Sequence, residues 1–300
     1  LSDPALILLS ADLLDKCITL ISLKKGKSKM ELSSVCENIS HLVLDVRGTI
    51  LHPTEDLQAS PTLLSQMAKC RQNGIHIGLV SGCSRKTIEE LILRPLQCLS
   101  HSYLSDKLGS LSVYTETGSQ GYFVDPTFAL VPLPDYYNQG FSCSEAHSIL
   151  HILKEQSEIH RIHGKAEMRS SQINFYCVEN RQLRLNLAES INSCLQQVGL
   201  HNVVAHVPTS KTVIDISLGR KIIAGKDMIN RTNLLDHDKA FLISDSFQQN
   251  GSDSEILSLM PKANAIHVGV LDAPLCKGVT HLGGPKATEM ILLQISTIFA

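Results

Sequence analysis

The chain of 300 residues has no tryptophan, few other aromatics and almost no net charge, and each scarcity removes a class of function. A nucleic-acid binder needs a basic stripe and rings on which bases stack. Here 27 lysines and arginines stand against 29 acids, and aromatics make up 4% of the chain. The same balance argues against an anionic membrane surface as partner. No run reaches the ~18 to 20 uninterrupted apolar residues that a spanning helix needs. The best candidate, PALILLSADLLDKCITLISL, carries Asp12, Asp15 and Lys16 and reads as an amphipathic helix. The nine cysteines include no C-x-x-C pair, so they read as free thiols in a reducing, cytoplasmic setting rather than as a disulfide framework or a zinc site. There is no H-E-x-x-H zinc motif, internal repeat or low-complexity tract.

What is present is an alternation of strands and helices. Residues 1–40 read as a helical segment and a linker, the basic run KKGKSK being its solvated part. This segment, with no starting methionine before it, leads us to expect a piece of something larger, with an upstream fused domain or a partner protein. From His41 the pattern is HLVLD as a strand, then a helix capped by Ser60, with Pro61 at its first position and Gly74 as its stop. IHIGLVSG follows as a second strand, then a helix capped by Ser84, and then two short strands around the Gly-rich turn of SVYTETGSQGYFVD. Strands that read as near-continuous apolar runs between helices predict a parallel sheet covered on both faces. Residues 127–212 change character and predict a compact α+β insert, while 41–126 and 213–300 form the main α/β unit.

Ligands of such sheets bind off the carboxyl ends of the strands. Asp45 ends the first strand, Ser81-Gly82 ends the second, and Asp245 ends AFLIS, with Asp253 in the loop beyond. Lys226 follows Gly225 at what reads as a helix start, and Lys221 is its competitor. Carboxylates brought to one point call for a cation, and Mg²⁺ suits a few carboxylates plus phosphate oxygens. A serine hydroxyl beside helix-start N–H groups can hold a phosphate oxygen. A lysine neutralises charge on both, and a carboxylate can act as nucleophile.

In that order LDVRGTIL, IGLVSG, AGKDMI and ISDSFQQNGSDSEIL resemble the four motifs of the haloacid dehalogenase-like (HAD) phosphatase superfamily. The insert between the second and third resembles the large α/β cap of its sugar-phosphatase and phosphomannomutase-like branch. The resemblance spans residues 41–299. It implies a HAD-like Rossmannoid core with an α+β cap, Mg²⁺ as cofactor and a small phosphorylated metabolite, most simply a sugar phosphate, as substrate. Asp45, Asp245, Asp253 and the backbone carbonyl of Arg47 would hold the metal. Asp45, Ser81 and Lys226 would be catalytic. Thr49, Ser81, Gly82 and, on the cap, Arg169 and Asn174 would contact substrate.

One position departs from the pattern. The superfamily's phosphatases carry an aspartate as general acid–base where this chain has Arg47, and a guanidinium stays charged and cannot donate that proton. General acid–base help is worth roughly 10²- to 10⁴-fold, so turnover of a sugar phosphate is expected to be impaired. Arg47 could instead pair with Asp45 and Asp245 in the metal's place, leaving a degenerate domain with a binding, regulatory or structural role. Ser244 and Ser252, standing where glycine and asparagine are usual, point the same way.

Overall fold

The computed structural model describes residues 39–298 apart from 54, 101–108, 137–139, 209–211, 220, 235–236, 248–252, 270–274, 277–278 and 283–284. The helical segment expected within residues 1–38 lies outside the described residues. The main sheet has eight strands: β1 (His41–Asp45), β2 (His76–Val80), β3 (Leu111–Thr115), β4 (Gln120–Val124), β5 (Leu130–Pro132), β10 (Ala240–Ser244), β11 (Asn264–His267) and β12 (Val279–His281). Their order is β12-β11-β10-β1-β2-β3-β4-β5, parallel from β12 to β3 and antiparallel beyond. Every residue of β1 and of β10 is buried, because helices cover both faces.

Helix α1 (Pro61–Gln72) starts where Ser60 Oγ accepts from Leu63 N, and it ends at Gly74, whose φ is +80°. Helix α2 (Arg85–Ser100) is capped by Ser84 and carries a π turn over Glu89–Leu93. On one face of the sheet Leu42, Leu44, Ile77 and Leu79 pack with Leu64 and Met67 of α1, with Ile88 and Ile92 of α2, and with Ile291 and Ile295 of the last helix, Pro285–Ile298. On the other face Val43, Val80 and Leu242 meet Ala224 and Met228.

A second sheet, β6-β7-β9-β8, is built from β6 (Gly164–Met168), β7 (Gln172–Cys177), β8 (Val204–His206) and β9 (Val213–Ser217). Two helices, α3 (Cys143–Ile159) and α4 (Arg181–Gln197), cover one side of it, Ile149, Leu187 and Ile191 packing on Ile173, Phe175, Ile214 and Ile216. This shifts both edges of the insert expected at 127–212. Leu130–Pro132 pairs with β4 in the main sheet, and Val213–Ser217 is an inner strand of the second sheet. The reason is physical: VIDIS is a short buried run that suits either sheet, and only its pairing partners decide between them.

The rings of His41 and His76, register partners on β1 and β2, stack with centroids 4.9 Å apart. Burial, and then the neighbouring His76, lowers the pKa of His41 to about 4, and burial lowers His76 as well. The unfolded chain binds protons near pH ~6.5 that the folded chain refuses. The stability contributed by neutral His41 is therefore full above ~6.5 and is lost as pH falls toward 4. Melting temperature should drop over this window, and less steeply in His41→Phe. An equal drop in that variant would show that the pair is not responsible.

Candidate active site

β1 and β10 are neighbours and parallel, so Asp45 and Asp245 leave the sheet side by side. The turn after β1 is fitted to the second of them. Gly48 has a φ of +83°, and a Cβ there would lie 2.0 Å from Asp245 Oδ2. Thr49, fully buried, accepts from Asp245 N through its hydroxyl at 3.1 Å. Expected as a substrate contact, Thr49 instead braces the two loops against each other. Asp253 is buried as well. Ser244 donates to its Oδ2 and itself accepts from Ser246 N at 2.8 Å. Ser244 thus fixes the Asp253 carboxylate.

The lysine that reaches these carboxylates is Lys221, not Lys226. Lys221 Nζ donates to Asp45 Oδ1 at 2.6 Å and lies 2.6 Å from Asp253 Oδ1. It is the first residue of helix α5 (Lys221–Thr232), while Lys226, in the second turn, is exposed. Gly225 does not open the helix. It lets α5 approach α6 (Ser254–Leu259), since a Cβ on it would meet Leu259 Cδ1 at 3.1 Å. Burial alone would lower the pKa of Lys221, but Asp253 and Asp45 together raise it. Burial raises Asp253 to about 6, with Lys221 opposing and Asp45 adding to the rise.

Asp45, Asp245 and Asp253 offer ligand oxygens that all lie within 4.8 Å of one another. Three carboxylates against one ammonium leave two negative charges in a buried place, and the donors are all oxygen. That set fits a hard divalent cation such as Mg²⁺.

Ser81 caps β2 beside this cluster. It is buried, and its Oγ accepts from Cys83 N at 3.0 Å. Beyond it lies a cavity of about 580 Å³ between the core and the second sheet, lined by Arg47, Gly82, Ser84, Glu167, Arg169, Asn174 and Asp215 among others. Arg47 does not enter the carboxylate cluster. Its guanidinium donates to Glu55 O at 2.7 Å, to His52 O at 3.3 Å and to Asp56 Oδ1. Burial works against its charge, but Asp56 and Cys83 hold its pKa above the ordinary value. Arg169 donates to Gly82 O at 3.0 Å and to Glu167 at 3.2 Å, so it ties the second sheet to the core as well as lining the cavity.

Glu116 makes the firmest tie. Its carboxylate accepts from Ser170 Oγ at 2.9 Å, Ser171 N at 2.8 Å and Ser171 Oγ. Glu116 and Thr117 both have positive φ, 49° and 59°. Such strain persists only where surrounding contacts over-determine it.

No family model matches the chain, and no curated protein matches it in sequence. Solved structures do match. An N-terminally truncated, IMP-bound IMP-nucleotidase from Plasmodium falciparum superposes with a TM-score of 0.64 at 14% identity, over 96% of this chain and 79% of that one. The same enzyme bound to ATP gives 0.63 at 12% identity, over 97% and 70%. A trehalose-6-phosphate phosphatase from Aspergillus fumigatus gives 0.56 at 11% identity, over 89% and 96%. The chain has a HAD-like fold with a cap.

In this HAD-like core the structure brings together Asp45, Asp245, Asp253 and Lys221, while Gly82, Arg169 and Asn174 line the cavity under the cap. Lys226 is exposed, and Thr49 is buried against Asp245 N outside the cavity lining. Sequence reasoning passed over Asp215 and Glu116. The signal for Asp215 was available, a carboxylate in the middle of the apolar strand VIDIS, the same anomaly that draws the eye to Asp45. Glu116 gave none, because ETGS reads as an ordinary turn. Among the described residues no helix is long and apolar enough to cross a membrane, and none of the described cysteines is in a disulfide.

Proposed function

We propose that this chain is a divalent-metal-dependent phosphatase acting on a small phosphorylated metabolite with a polar leaving group, most simply a sugar phosphate. One observation carries the reading. Three buried carboxylates and a buried lysine converge at the carboxyl ends of parallel strands, beside Ser81 and a roofed cavity. Its likeness in fold to an IMP-nucleotidase and a trehalose-6-phosphate phosphatase agrees with it. Mg²⁺, held by Asp45, Asp245, Asp253 and the Arg47 carbonyl, would offset charge on the phosphoryl oxygens. Ser81 holds a phosphoryl oxygen, and the Asp45 carboxylate attacks phosphorus to give an aspartyl phosphate. Lys221, donating to Asp45 Oδ1, holds that carboxylate in place. The cytoplasm is the compartment we assign, from the free thiols.

Protein stripped with EDTA should hydrolyse no phosphomonoester, and Mg²⁺ should restore hydrolysis. Mg²⁺ should also raise the melting temperature by several degrees at saturation, since a ligand at 100 times its Kd adds ~2.7 kcal/mol. Asp253→Asn should lose most of that rise. A stripped protein that hydrolyses phosphate esters unaided, or a melting temperature indifferent to Mg²⁺ and Mn²⁺, would refute the reading.

A further inference from the structure

Arg47 stands where the resemblance implies an acid on the core, and the cap places a carboxyl in the cavity that Arg47 lines. Asp215 is at the centre of β9, between Ile214 and Ile216, whose side chains go to the cap's apolar core. Side chains alternate along a strand, so Asp215 points the other way, into the cavity it lines. Register carries a polar row across the whole cap sheet: Glu167 pairs with Asn174, Asn174 with Asp215, and Asp215 with His206. With its amide nitrogen turned toward Asp215, Asn174 donates to Oδ1 at 3.0 Å and accepts from Arg169 at 3.0 Å. His206 Nε2 lies 3.8 Å from Oδ2.

The same Oδ2 lies 3.6 Å from where a Cβ on Gly82 would be. The carboxyl therefore hangs directly over the turn that follows Ser81. The charged groups around it are otherwise engaged. Arg169 binds Glu167 and the Gly82 carbonyl, and Arg47 binds Asp56 across the cavity. The titratable group beside it on the next strand is His206, whose side chain is 26% exposed and so open to solvent protons.

We propose that Asp215 is the acid–base catalyst of this site, with His206 as its connection to solvent. The inference rests on the phosphatase reading above. The proton that Asp215 delivers reaches it from solvent by way of His206. As an Asp45 oxygen bonds to phosphorus, the bond from phosphorus to the leaving oxygen breaks and its electron pair stays on that oxygen. The Asp215 proton moves to the same atom. Asp215, now a carboxylate, then takes a proton from water as the water oxygen bonds to phosphorus and the acyl phosphate bond to Asp45 breaks. Inorganic phosphate leaves, and Asp215 is again the acid.

The test compares phosphoenzyme formation, by rapid quench with Mg²⁺, in the parent, Asp215→Asn and His206→Gln. One phosphoryl donor is a sugar phosphate, whose leaving group needs a proton, and the other is acetyl phosphate, whose leaving group does not. In Asp215→Asn, formation from the sugar phosphate should slow by ~10²- to 10⁴-fold. Formation from acetyl phosphate should change less than about tenfold, and the adduct should accumulate because its hydrolysis lacks a base. His206→Gln should shift the pH profile while slowing the reaction far less. Equal slowing with both donors, or none with either, overturns the proposal. If the parent forms no adduct from either donor, the phosphatase reading fails, and sulfate binding decides on Asp215 by itself. Asp215→Asn should bind sulfate roughly tenfold more tightly at pH 8. Identical sulfate affinities would mean that Asp215 does not face the anion site.

Discussion

Lys221→Met should be the most damaging single change in the molecule, and Lys226→Met nearly silent. The Lys221 ammonium lies 2.6 Å from oxygens of both Asp45 and Asp253, and all three side chains are buried. Taking one partner from a buried ionic group leaves its charges uncompensated and typically costs ~3 to 5 kcal/mol. Here two carboxylates would be stranded. Denaturant titration of metal-free protein should show a loss of this size, and added Mg²⁺ should recover part of it by supplying the missing positive charge. Activity should fall by ~10²- to 10³-fold, the scale for removing one group that stabilises developing charge. Lys226 is exposed on the same helix, and its methionine variant should stay within ~0.5 kcal/mol and near parent activity. If the two variants behaved alike, the assignment of the lysine would be wrong.

Gly48→Ala should disable the metal site without touching a ligand. Its positive φ strains any other residue, and the new Cβ would meet Asp245 Oδ2 at 2.0 Å. Either Asp245 swings away from the other carboxylates or the turn after β1 is rebuilt. Strain and displacement together should cost ~3 kcal/mol, and the thermal response to Mg²⁺ should disappear. Gly199 is the control that separates the two effects. Its φ is +81°, but nothing lies within 4 Å of where its Cβ would be. Gly199→Ala should therefore show the backbone strain alone, ~1 kcal/mol, and keep the full Mg²⁺ response. A Gly48→Ala variant with normal Mg²⁺ affinity would mean that Asp245 is no ligand.

The contrast between what could be read and what could not has physical causes. HLVLD and AFLIS are fully buried parallel strands, and their apolar runs ending in aspartate announce both the sheet and its rim. Ser60, Pro61 and Gly74 mark a helix through local chemistry alone. Lys221 and Lys226 differ only in helical phase, which depends on where α5 begins. The Gly before Lys226 suggested a start, whereas its job is close packing against Leu259. The edges of the cap were hidden for a related reason. Val213–Ser217 has the same composition in either sheet, and long-range pairing assigns it. Arg47 is the sharpest case. Its residue type excludes proton donation, but whether it fills the carboxylate cluster depends on a partner nine residues on, Asp56, which draws it to the far wall of the cavity.

The central claim is that Asp45 carries the phosphoryl group. Intact-protein mass spectrometry after mixing the Mg²⁺-loaded parent with acetyl phosphate, quenched in acid, tests it most directly. The account predicts a single phosphoryl adduct that is released by hydroxylamine, maps to the peptide containing Asp45 and is absent from Asp45→Asn. An adduct on another residue, or phosphate release by the parent at an undiminished rate in Asp45→Asn, would contradict it.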